Sequence, residues 1–120
     1  MPKQHDRRLR GIRGETIALR HLLAHGYRLL RKNYRYGSGE IDLVCEEGPD
    51  LVFVEVKYRR SEEYGNPEEA VTPRKQERLR RTAEGYMLEH NCDDRSYRFD
   101  VVAILDRGSS LRIEHFREAF

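Results

Sequence analysis

Asp42, Glu55 and Lys57 are the residues of this 120-residue chain whose types and spacing best fit chemistry. They lie in two runs, Gly39-Glu40-Ile41-Asp42-Leu43-Val44 and Leu51-Val52-Phe53-Val54-Glu55-Val56-Lys57-Tyr58-Arg59, that alternate in the manner of strands. In the second run Leu51, Phe53, Glu55 and Lys57 share one face, and Val52, Val54, Val56 and Tyr58 the other. In the first, Ile41, Leu43 and Cys45 share a side, with Asp42 and Val44 opposite. Glu46-Glu47-Gly48-Pro49-Asp50 has turn chemistry, so the two runs read as a hairpin. Closure with Glu46 opposite Leu51 sets Val44 opposite Phe53 and Asp42 opposite Glu55, with Lys57 two residues further along.

Two carboxylates about 5 Å apart repel by roughly 3 kcal/mol at an effective dielectric of 20, a cost that a purely structural hairpin has no reason to carry. A divalent cation removes it. Magnesium and manganese take oxygen ligands, and Asp42, Glu55 and the backbone carbonyl of Val56 would supply them. Lys57 could then orient a water or neutralise charge developing on a phosphate. The alternative is a surface ion pair of Lys57 with Asp42 or Glu55, which Glu-x-Lys alone would favour; the apolar setting and the second acid favour the metal.

Other parts of the chain must position this hairpin. A helix is predicted from near Ile12 to His25, with Gly26 placed to stop it, and residues 1–11 read as a flexible basic arm. Glu15, Ala18, Leu19 and Leu22 follow one helical face, so Glu15 either extends the core-facing stripe toward a partner or complements the helix N-terminus. Tyr27 to Tyr34 reads as a strand, and Tyr34 and Arg35, interleaved with further basic residues, suit nucleic-acid contact by stacking and phosphate pairing. Residues 60–72 read as a loop and a candidate substrate-contacting flap.

Thr72-Pro73 then caps a second helix to about Glu89 or His90, with an apolar stripe through Leu79, Ala83, Tyr86 and Met87. Lys75 and Gln76 fall in its first turn, where a phosphate would be well received. Tyr97 to Leu105 reads as a buried strand reached by a crossover, and Leu111 to Phe116 as a final one. The order is helix, three strands, helix, two strands, an α/β arrangement of one domain over residues 12–120.

Composition sets outer bounds. The net charge is +2, but residues 1–36 hold ten Lys/Arg against two acids while residues 40–69 hold three against ten, the polarity expected where a basic surface grips phosphates beside a carboxylate metal site. Cys45 and Cys92 have no metal-ligand spacing and suggest a reducing cytoplasm. The five histidines read as scattered, which argues against a zinc site, and no run has the length of a membrane span.

Taken together, Gly14-Glu15, Ala18, Gly26-Tyr27, Asn33-Tyr34-Arg35, Gly39-Glu40-Ile41-Asp42-Leu43, Phe53-Val54-Glu55-Val56-Lys57 with Arg59, Gly65, Pro67, Ala70-Val71, Lys75, Ala83, Arg98-Phe99-Asp100-Val101-Val102 and Ala119-Phe120 make the chain resemble the YraN-like proteins. That group is placed in the restriction-endonuclease-like, or PD-(D/E)XK, superfamily, which also contains archaeal Holliday-junction resolvases. The resemblance implies a single restriction-endonuclease-like domain with a mixed central sheet flanked by helices. It implies a catalytic centre of Asp42, Glu55 and Lys57, with Glu15 joining the metal shell. In this sequence Ile41 stands where many superfamily members have proline.

The function so implied is a Mg2+- or Mn2+-dependent endonuclease or exonuclease acting on DNA, on structured or single-stranded intermediates of repair or recombination. Tyr34, Arg35, Arg59, Lys75 and Gln76 are the expected backbone contacts. A homodimer would suit symmetric junctions, and other DNA-processing proteins are further expected partners. The alternative is a non-catalytic nucleic-acid-binding module of a DNA-processing complex.

Overall fold

The computed structural model describes the backbone of residues 3–60, 71–92 and 94–120, and side chains from residue 8 onward within those stretches. Helix α1 (Lys3–Ala24) leads to strands β1 (Arg28–Tyr36), β2 (Gly39–Glu47) and β3 (Asp50–Arg59), then to helix α2 (Pro73–Glu89) and strands β4 (Tyr97–Asp106) and β5 (Leu111–Phe116). This is the predicted order. The five strands form one sheet in sequence order, antiparallel except for β3 and β4, which run parallel through the α2 crossover. The helices cover opposite faces.

Alternation assigns most strand residues to one helix or the other; Ile41, expected to share a side with Leu43 and Cys45, instead joins the α2 cluster while those two join that of α1. Leu51, Phe53, Phe99 and Val101 pack with Leu79, Ala83, Tyr86 and Met87 of α2. Val52, Val54, Val102 and Ile104 pack with Ala18 and Leu22 of α1. On α1 the fully buried stripe is Gly14, Ala18 and Leu22, with Glu15 and Leu19 half-buried on its shoulder. Gly14 lies so close to β3 that a Cβ there would sit 2.9 Å from the Tyr58 Cβ.

The helix ends follow their local signals. Gly26, at φ +87°, stops α1 in a Schellman arrangement, with Tyr27 N–H donating to Leu22 O and Gly26 N–H to Leu23 O. Thr72, extended at φ −66° and ψ 161°, accepts from Lys75 N–H ahead of Pro73. At its other end α1 departs from expectation: it continues back to Lys3 through the stretch expected to be a flexible arm. The expected flap lies, but for its ends, outside the described residues.

In the hairpin Glu46 pairs with Leu51 and Val44 with Phe53, the predicted register, and the ladder runs on to Leu43 opposite Val54. Beyond that pair the backbone of β2 leaves β3. Asp42 is joined to β3 by its side chain, whose Oδ2 accepts the Val56 N–H at 2.8 Å. On its outer side β2 pairs with β1, whose register shifts between Leu29 and Arg31 and whose Asn33 takes a left-handed φ of +51°. Across these irregularities Tyr34 stays on the face of Leu30, in the cluster under α2, where it is 1% exposed.

Candidate functional site

The α2-facing surface of the sheet changes from apolar to charged along β3: Leu51 and Phe53 lie in the core, and Glu55 and Lys57 continue the same row. Asp42 meets them from β2, and its carboxyl shares a hydrogen bond with that of Glu55. From above, α2 lowers Lys75, whose Nζ lies 3.2 Å from Glu55 Oε2 and which comes close enough to Lys57 to perturb it. Two acids from adjacent strands and two lysines, one from β3 and one from the first turn of α2, thus share one half-buried place.

Electrostatics within the group are uneven. Burial pushes Asp42 up to about 9, reinforced by the hydrogen bond and charge of Glu55 and by the charge of Glu15, against the Val56 N–H. Burial acts on Glu55 as well, but the hydrogen bond from Asp42 and the charges of Lys75 and Lys57 outweigh it and hold Glu55 below the usual carboxylate range. The pair therefore keeps one proton, mainly on Asp42. Lys57 is lowered to about 8, by burial first and then by its contact with Lys75. Burial lowers Lys75 too, yet its contacts with Lys57 and Glu55 leave it raised.

Glu15 stands at the margin. It is half-buried and hydrogen-bonded to Asn33, and burial raises it. It is close enough to influence Asp42, but among the described residues no three His, Cys, Asp or Glu side chains converge as a ready-made metal cluster. Glu15 thus does not complete a three-carboxylate shell in this structure. The chemistry of the donor set still suits a hard dication: Asp42 and Glu55 offer only oxygen, and their mutual repulsion is what a cation would relieve. Magnesium is commonly held by one or two carboxylates with water and phosphate oxygens filling the rest.

The expected nucleic-acid contacts separate into groups. Tyr34 is a correction: its ring packs edge-on against Tyr86 in the core and its hydroxyl donates to Glu89, so it is not available for stacking. Arg35 is exposed and pairs with Glu40 at 2.8 Å. Gln76 turns its amide to Val71 O at 3.0 Å, bracing the start of α2. Arg59 is half-buried at the end of β3. Lys75 belongs to the carboxylate group itself, a role that sequence spacing could not supply because Glu55 lies on another element. Asn33 was also missed as a site residue; its signal is an asparagine, tolerant of positive φ, inside a strand-like run.

Paired strands carrying a half-buried Asp-Glu-Lys group beneath a capped helix define an α/β protein with a polar centre set into one face of its sheet. The family described as "Uncharacterised protein family UPF0102" matches residues 14–104, a span that holds Glu15, Asp42, Glu55, Lys57 and Lys75. A UPF0102 protein of Chlorobium phaeobacteroides is 41% identical over 121 residues, covering 96% of this chain and 95% of its own length. One from Beutenbergia cavernae is 47% identical over 89% of this chain and 92% of its own, and one from Moorella thermoacetica 49% identical over 84% and 85%. The chain belongs to the UPF0102 family, in keeping with the YraN-like resemblance. No helix of the described residues is long and apolar enough to cross a membrane.

Proposed function

We propose that the protein is a Mg2+- or Mn2+-dependent nuclease of the restriction-endonuclease-like, PD-(D/E)XK superfamily. It hydrolyses DNA phosphodiester bonds in the cytoplasm, on structured or single-stranded intermediates of repair or recombination. The observation that carries the reading is the half-buried Asp42–Glu55 pair with Lys57 beside it. A fold gains nothing from two acids forced to share a proton, whereas a metal-dependent phosphodiesterase needs them.

Asp42, Glu55 and the carbonyl of Val56 would hold the ion. When bound, it supplies positive charge to the scissile phosphate and lowers the pKa of a water. Lys57, with a pKa near 8, has a substantial neutral fraction at cellular pH, and its Nζ can take a proton from the attacking water. Lys75 holds Glu55 in place and can extend toward a phosphate oxygen from the positive end of α2. Arg35 on β1 and Arg59 on β3 are the further candidates for contact with neighbouring phosphates.

The test is cleavage of labelled single-stranded, duplex, flap and four-way-junction DNA, with RNA alongside, in magnesium, manganese or EDTA. Wild type is compared with Asp42→Asn and Lys57→Ala. The expected result is metal-dependent cleavage by wild type alone. Binding that survives EDTA with no cleavage of any substrate refutes the enzyme and favours a non-catalytic binding module.

A further inference from the structure

On the opposite face of the sheet, under the C-terminal turn of α1, His21, His25 and His115 come together. His21 Nε2 lies 3.2 Å from His115 Nδ1, and the His21 and His25 rings are stacked at a tilt with centroids 4.2 Å apart. The other nitrogen of His115 is 2.8 Å from Asp100 Oδ2. Asp100 is fully buried and held ionised by a full set of donors: Tyr27 Oη at 3.0 Å, Arg98 Nε at 3.1 Å and the Glu118 N–H at 3.0 Å. An ionised carboxylate that only accepts requires His115 to carry its proton on Nε2. In the neutral ring that donates from Nε2, Nδ1 is the lone pair that faces His21.

We propose that His21 Nε2 and His115 Nδ1 form a binding site for a transition-metal dication of the zinc class, with Asp100 as the carboxylate that orients His115 from behind. The distance suits it. With metal–nitrogen bonds of about 2.0–2.1 Å, two nitrogens 3.2 Å apart subtend about 100° at the metal, close to a tetrahedral angle. His21 needs only the tautomer with its proton on Nδ1.

The buried carboxylate behind a ligating imidazole is the arrangement that fixes ring orientation and raises ligand basicity in metal sites. Imidazole nitrogen selects zinc, nickel or copper over magnesium, so this site and the carboxylate site would take different ions. His25 sits one helical turn after His21, and its Nδ1 is engaged with His21 O at 2.7 Å, which leaves Nε2 as the nitrogen that a rotation could add. The remaining positions fall to water. The ion would tie the end of α1 to β5, the strand at the edge of the sheet.

The test titrates chelator-treated full-length protein with Zn2+, with Mg2+ as control, following heat and the imidazole nitrogens by long-range 1H–15N NMR. One equivalent of Zn2+ is expected to shift the His21 and His115 nitrogens, and Mg2+ to leave them unmoved. His21→Ala should weaken that event at least tenfold and remove the rise in thermal midpoint that Zn2+ gives wild type. Because His115→Gln risks the fold through Asp100, the half-exposed His21 carries the decision. Equal Zn2+ affinity in wild type and His21→Ala, or resonances of His21 and His115 that stay fixed through the titration, overturns the proposal. The carboxylate site plays no part in either readout.

Discussion

Replacing Asp42 by Asn should stabilise the metal-free protein while abolishing cleavage. In the folded chain Asp42 is raised to about 9, so between about pH 4 and that value it takes up a proton that the unfolded chain releases. The sign follows: wild-type stability is full below the unfolded pKa and is progressively lost as pH rises through this window. At pH 7 a proton taken up by a group with an unfolded pKa near 3.9 costs about 4 kcal/mol, an upper bound because Glu55 shifts the opposite way within the same pair.

Asn keeps an oxygen to accept the Val56 N–H at no protonation cost, and it can still donate to Glu55. A net gain of about 1–3 kcal/mol at pH 7 is expected, which for a chain of this size raises the thermal midpoint by several degrees. Urea unfolding of both proteins from pH 5 to 9 in EDTA should show the advantage of Asn growing with pH. Adding Mg2+ should stabilise wild type and leave the variant unchanged, closing the gap. A variant that is less stable than wild type at pH 7 to 8, or an advantage independent of pH, would refute the assignment of a strained shared-proton pair.

Three further outcomes follow from other contacts. Lys75→Met removes the cation 3.2 Å from Glu55 and should lower single-turnover cleavage about tenfold while leaving the circular dichroism spectrum and unfolding midpoint nearly unchanged. Arg98→Ala leaves Glu47, Asp50 and buried Asp100 without their shared partner, and urea unfolding should show a loss of about 3–5 kcal/mol. In acid, Asp100 and Asp106 are both held below the usual carboxylate range: Asp100 against burial by His115, the Glu118 N–H and Arg98, Asp106 by Tyr58, the Gly108 N–H and Arg13. Their contribution is present above the unfolded pKa and lost as pH falls below it, so the urea midpoint should drop from pH 5 to 3, less steeply in Asp106→Asn.

What the sequence made legible was whatever depends on neighbours along the chain. Turn residues between Glu46 and Asp50 set the register of the hairpin, and with it the row that brings Glu55 beside Asp42. Thr72-Pro73 and Gly26 marked helix ends because each satisfies a local backbone need. Tyr34 was misplaced because a mixed basic and aromatic run does not announce that its aromatic member joins Leu30 in the core under α2. The start of α1 was misplaced because its first turns carry basic residues and lack an apolar period, the signal on which the helix was predicted. Lys75 was expected as a phosphate contact, but its pairing with Glu55 escaped because the partner lies on another element, so only the packing of α2 over β3 defines it.

The two faces of the sheet also show why burial of charge is not by itself a mark of function. Asp42 and Asp100 are the same residue type on adjoining parts of one sheet, yet one is raised and the other lowered. Asp100 faces donors on both oxygens, and the guanidinium of Arg98 balances its charge, so burial there is fully compensated. Asp42 faces another carboxylate, and the two lysines nearby act mainly on Glu55, so the burial of Asp42 is left uncompensated. A stable domain could remove that cost with one substitution to Asn. Its presence, inside the span shared with the UPF0102 family, is the reason to look for a cation and a phosphate at Asp42.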